Sequence, residues 1–413
     1  MEFIREKIKK KPISKRKIFA TIGAAALCGF IFSIVVFIMM LIFMPTIKET
    51  LLKQMKSSEQ DSNVVMETEG TESTESIESA IIIPPDISLS ISDYQTLQDE
   101  LYSIGDEVNK SIVTVATMSA EGEDWAENPF EAEGLGSGLI VDVDDNYVYI
   151  LTEKKLIADA THIRVSFIDN TGAEATLLKY DGNSGIAILT VEKRQLASTT
   201  QSAIAVATLG SSYEITNGSV VIALGSPLGT NYSILTGNIT SVQNQIETQD
   251  KNYSVFTTDI IASENASGVL VNTKGEVLGI VMQSFSGSQD ISTLTAVDVN
   301  ELNDMIDFLK NGKDVPYIGL YISTVTEDIS ADYDIPVGVF IKDVAANSPA
   351  MQAGLQSGDV IVKINGTSIT TDDIYSDTIS AFIPGTTCEF TVKRQSGNSY
   401  YDVTYEIEID VLK

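Results

Sequence analysis

Glu264-Asn265-Ala266-Ser267-Gly268 is the stretch of this chain whose residue types come nearest to doing chemistry. It lies between the strand-like run VFTTDI and the segment GVLVNTKGEVLGI, which reads as a strand, a Lys-Gly turn and a second strand. A serine hydroxyl in such a loop attacks a carbonyl when a base takes its proton and backbone N–H groups hold the oxyanion. The candidate bases are few. The single histidine, His162, opens the run HIRVSF, while Lys155 follows another strand-like run, YILTE. The two cysteines, Cys28 and Cys388, are too far apart in the chain to be expected to pair, and no Cys/His cluster offers a metal site. No cofactor is expected.

These residues must be positioned by strands. Between about Tyr94 and Lys313 many short runs of branched residues alternate with Gly, Asn and Asp turns, among them GSGLIVDV, IAILTVEK, SVVIALGSP and NYSILTGNITSV. Strands at that spacing, with little helix between them, predict a closed or sandwiched all-β domain. Leu302, Met305, Ile306 and Leu309 recur at helical spacing and predict an amphipathic helix that closes it. From about Val315 a second module follows, with strands, a short helix at SPAMQAGL and another around 372–381.

The N-terminal part has a different character. Residues 1–17 carry eight cations against two glutamates, a net of +6 in a chain whose net charge is -30. Residues 18–44 hold no charge and exceed the roughly 20 apolar residues that a membrane helix needs. They are also longer than the apolar region of a cleaved signal peptide. The basic flank predicts a single retained span with residues 1–17 in the cytoplasm and the bulk outside. Residues 45–93 are rich in Glu, Ser and Thr and read as an acidic disordered linker. The overall acidity argues against nucleic acid as a partner.

In this order the pieces resemble the HtrA/DegP family, which joins a trypsin-like double β-barrel to a PDZ domain. The similar segments are GLGSGLIVD (134–142), ALGSPLGTNYSILTGNITSV (223–242), VFTTDI and GVLVNTKGEVLGI. The second module matches more sharply through Gly338, Ser348-Pro349-Ala350, Ala353-Gly354-Leu355, Gly358-Asp359 and Asn365-Gly366. The resemblance implies a mainly β fold: one transmembrane helix, a trypsin-like domain over 94–312 and a small α+β PDZ domain over 315–413. It also implies a serine endopeptidase triad, in which a serine attacks, a histidine takes its proton and an aspartate orients the histidine.

The triad positions hold other residues. Lys155 matches the family's histidine, Gly185 its aspartate and Ala266 its serine. Glu264 stands where the family has a glycine of the oxyanion loop, followed by Asn265. His162 falls seven residues too late, and Asp181 four residues before Gly185. A Ser267–Lys155 dyad is the alternative that would keep the chemistry. It requires the lysine to lose its proton near neutral pH, through burial or positive neighbours. The plainer expectation is an ion pair between Lys155 and Glu264.

The PDZ-like part shows no such decay. Such domains hold a partner's C-terminal carboxylate on backbone N–H groups and add the peptide to a sheet edge. Here the resemblance places the carboxylate loop at Tyr317, Ile318, Gly319 and Leu320, with Ile322 and Ile379 lining the side-chain pocket. Two functions follow as expectations. The first is an inactive, membrane-anchored protein that binds C-termini or unfolded segments of exported proteins. The second is a membrane-bound endopeptidase of envelope quality control that uses Ser267 and Lys155. The family's habit of forming homotrimers leaves the oligomeric state open.

Overall fold

The computed structural model describes residues 90–118, 134–158, 160–286 and 292–412. The basic tail, the expected membrane span and the linker up to residue 89 lie outside the described residues. Among the described residues, no helix is long and apolar enough to cross a membrane.

The chain enters through helix α1 (Ile91–Val108). Its start is fixed by Ser90 and Asp93, which form a capping box, with the Ser90 N–H donating to Asp93 Oδ2 at 2.7 Å. Six strands follow: β1 (Ile112–Met118), β2 (Gly134–Val143), β3 (Tyr147–Glu153), β4 (His162–Ser166), β5 (Gly172–Tyr180) and β6 (Ile186–Glu192). They close into a barrel in the order β1-β2-β3-β6-β5-β4. A short helix α2 (Ser198–Ala203) leads to β7 (Val220–Ser226), β8 (Ser233–Glu247), β9 (Asn252–Ile261), β10 (Ser267–Val271), β11 (Val277–Met282) and β12 (Thr293–Asp298). These form a second closed barrel, β10-β11-β12-β9-β8-β7.

Closure abolishes exposed edges, and stacking the barrels buries strands on both faces. The sequence carries the mark of this. In β6, Ala187, Leu189 and Val191 fill the first barrel, while Ile186 and Ile188 point into the seam between the barrels. In β7, Val221 and Ala223 fill the second barrel, while Ile222 and Leu224 join the same seam. Runs such as IAIL and VVIAL are therefore continuously apolar rather than alternating. Helix α3 (Asn303–Lys310) seals the seam with Met305, Ile306 and Leu309, and Leu302 just before it is fully buried too.

The last part has its own core. Strands β13 (Leu320–Val325), β14 (Gly338–Val344), β15 (Val360–Ile364), β16 (Thr367–Ser368), β17 (Thr387–Ser396) and β18 (Ser399–Glu408) form one sheet. Its order is β13-β14-β15-β17-β18, with β16 paired to β15 and β13 at a free edge. Helices α4 (Glu327–Tyr333), α5 (Pro349–Ala353) and α6 (Asp372–Ser380) complete it. Ile318, Ile341, Ile361, Tyr375 and Phe390 are fully buried at its centre. Barrels and module lie in one compact unit, Ile87–Lys413.

Candidate functional site

Two places were expected to carry function, and the fold treats them differently. The first lies at the barrel seam. Lys155 sits on a single 3-10 turn after β3, and the N–H of Lys154 donates to the Gly185 carbonyl at 2.7 Å. Positions 155 and 185 are thereby brought together. The Lys155 ammonium pairs with Glu153 Oε2 at 2.8 Å, not with Glu264, which is exposed. The Glu153 side chain is only 6% exposed and its other oxygen has no hydrogen-bond partner. Burial pushes its carboxyl up, and the Lys155 charge pulls only partly the other way.

Gly185 has φ 76°, in the left-handed region, and a β-carbon there would meet nothing within 4 Å. Space for a side chain exists, but the backbone favours glycine. Asp181 is buried and accepts the N–H groups of Asn183 (3.2 Å) and Ser184 (2.8 Å), so it ties the turn between β5 and β6. His162 is exposed, with a ring nitrogen 3.5 Å from Glu174 on the neighbouring strand.

In the loop before β10 the side chains divide. Ala266 is fully buried, its methyl packed in the core of the second barrel, while Glu264 and Asn265 face solvent. Ser267 begins β10 and is 2% exposed. Its Oγ accepts the N–H of Ser137 on β2 at 2.9 Å, a bond across the seam. Gly268 lies so close to β7 that a β-carbon would sit 1.9 Å from the Leu224 carbonyl oxygen. Lys155 and Ser267 thus each have another partner. Neither Ala266 nor Ser267 presents a reactive group to solvent.

The second place is the loop before β13. Gly319 has φ 92°, and a β-carbon on it would meet Ser348 Cβ at 2.3 Å, so only glycine allows this turn. The turn aims three successive N–H groups, of Ile318, Gly319 and Leu320, at one point. That point holds the carboxylate of Asp250, at 2.7, 2.7 and 3.0 Å. Asp250 stands at the tip of the β8–β9 hairpin with φ 61°. Its own N–H donates to the Leu320 carbonyl at 2.7 Å. The Tyr375 hydroxyl on α6 donates to its Oδ1 at 2.8 Å, and Ser376 Oγ donates to its main-chain carbonyl at 3.0 Å. Two residues on, Asn252 Nδ2 donates to Asp372 Oδ2 at 2.9 Å and lies 3.4 Å from the Ile322 carbonyl.

The hairpin is tied back to the first barrel. Asn183 donates to the Gln249 carbonyl (2.6 Å) and to Thr248 Oγ1 (3.0 Å), and accepts the Gln249 N–H at 3.1 Å. The Tyr317 hydroxyl donates to Gln249 Oε1 at 2.5 Å. Burial raises the Asp250 carboxyl, opposed by the amides and hydroxyl that donate to it. Of the expected pocket residues, Ile322 is wholly buried in the module's core. Ile379 is 3% exposed and lines a cavity of about 70 Å³ beside Tyr317, Tyr253, Met305 and Phe308. Asp250 and Tyr375 were not legible in advance. Nothing in the run TQDKNY says that its aspartate meets amides 68 to 70 residues away.

Comparison with known proteins fits this division. Residues 136–280 match the trypsin-like peptidase domain and residues 316–405 the PDZ domain. A probable periplasmic serine endoprotease, DegP-like, of Ectopseudomonas mendocina (strain ymp) is 32% identical over 280 residues, 66% of this chain and 56% of its own length. Its namesake from Hahella chejuensis is 32% identical over 286 residues, 68% of this chain and 58% of its own. The chain therefore spans a little over half the length of these relatives. Among solved structures, the serine endoprotease from Yersinia pestis superposes with a TM-score of 0.51 at 24% identity, covering 76% of this chain and 98% of that one. The HtrA-type protease AlgW with a tripeptide gives 0.53 at 22%, covering 75% and 97%.

Proposed function

We propose that this HtrA/DegP-like chain, a trypsin-like peptidase domain followed by a PDZ domain, is a catalytically inactive binding protein. Residues 18–44 tether it to a membrane, and its bulk lies outside the cytoplasm. Its PDZ domain takes C-termini or unfolded segments of exported proteins. The relatives named as periplasmic support the compartment.

The observation that carries the inactive reading is position 266. An acyl-transfer nucleophile must reach a substrate carbonyl, and here the side chain is a methyl group with no exposure. Lys155 and Gly185 replace the other two members. Losing triad residues costs on the order of 10⁴–10⁶ in kcat. The competing reading, an endopeptidase using Ser267 with Lys155 as base, has to contend with the Ser137 N–H on that hydroxyl and the Glu153 carboxylate on that lysine.

The full chain is treated with a fluorophosphonate, beside a casein digestion. Neither labelling nor cleavage is expected. Stoichiometric labelling at Ser267, with casein cleavage abolished by Lys155→Met, would establish the endopeptidase instead.

A further inference from the structure

We propose that Asp250 is an internal ligand of the PDZ carboxylate loop, and that a partner's C-terminus must displace the β8–β9 hairpin in order to bind. The inference rests on the reading of this domain as a C-terminus binder. A peptide terminus would offer such a loop two things: a carboxylate for its amides and main-chain donors for the edge strand. Asp250 supplies both. Its carboxylate takes all three loop N–H groups, and its own N–H donates to Leu320. Asn252 reaches the next outward carbonyl of the β13 edge, at Ile322. The edge that the sheet leaves free is thereby covered from Leu320 to Ile322.

The fit is built rather than incidental. Asp250 is 8% exposed as a residue, and its carboxylate accepts a fourth bond from Tyr375, a side chain with no exposure. The left-handed turn at its α-carbon lets both the N–H and the side chain face the module. An occupant on the same chain acts at an effective concentration on the order of millimolar or above. A free peptide sees only the fraction of loops that are vacant, so its apparent affinity falls by that fraction.

The test uses the full chain and a pool of fluorescent decapeptides randomised at the last three positions. One form of the pool has a free terminal carboxylate and the other is amidated. Asp250→Gly removes the carboxylate and keeps the left-handed turn. Asp250→Asn keeps the size and one oxygen, and guards against a folding defect. Hydrogen exchange at the Ile318, Gly319 and Leu320 amides reads occupancy without any peptide.

These amides should be protected in the wild type and exchange at least tenfold faster in Asp250→Gly, with Asp250→Asn between. The free-carboxylate pool should bind Asp250→Gly at least tenfold more tightly than the wild type, and the amidated pool should gain nothing. Equal exchange in wild type and variants overturns the proposal, as does equal binding of the free-carboxylate pool by both. Freed amides with no binding of either pool would leave the internal occupant standing and remove the peptide-binding reading instead.

Discussion

At Glu153 a carboxylate is buried beside Lys155, and one of its oxygens is unsatisfied. Burial lifts its pKa above the ordinary 4.5, so the folded chain holds this proton more tightly than the unfolded chain. The stability from that difference is complete below 4.5 and is lost as pH rises through the raised value. Glu153→Gln, neutral throughout, should therefore melt higher than the wild type at pH 7–8, with the gap closing towards pH 4. Thermal unfolding across that range checks it, and a constant or widening gap would contradict the assignment. The expectation for positions 155, 185 and 266 rests on motif order alone, which does not encode their surroundings. That Lys155 turns to Glu153 rather than Glu264, and that Ala266 faces a barrel core, depends on strand geometry that no local spacing encodes.

Among the elements, strands and the closing helix were the most legible. Period-two alternation gave way to continuous apolar runs where both faces are buried, and Leu302, Met305, Ile306 and Leu309 announced α3 by their spacing. Leu309 has no exposure and packs in the seam that joins the barrels. Leu309→Ala should cost about 2–5 kcal/mol, as a cavity that cannot collapse. Denaturant unfolding measures this, and a loss under 1 kcal/mol would mean the helix only rests on the surface. The β8–β9 hairpin was legible as a turn and nothing more. Its partners are the turn around Asn183 and the loop at Tyr317–Leu320, both remote in sequence, and hydrogen bonds of that kind leave no periodic trace.

Across the whole molecule, the hydrogen bonds between barrels and module centre on one hairpin. Besides Asp250 and Gln249, Lys342 on β14 pairs with Glu247 at the end of β8, while Lys179 on β5 holds Asp314 in the segment that leads into the module. Exposed pairs of this sort contribute little, typically below 1 kcal/mol each. The buried Asp250 cluster should therefore dominate the coupling. Calorimetry of the wild type is expected to show one transition, and Asp250→Gly two, with the module melting apart from the barrels. A single transition in both would show that coupling lies elsewhere. A loop that seats one carboxylate at a time is also a counter. On the proposed displacement, every guest admitted evicts one hairpin, so a reporter dye at the hairpin tip would register the load on a population of these molecules without knowledge of what the guests are.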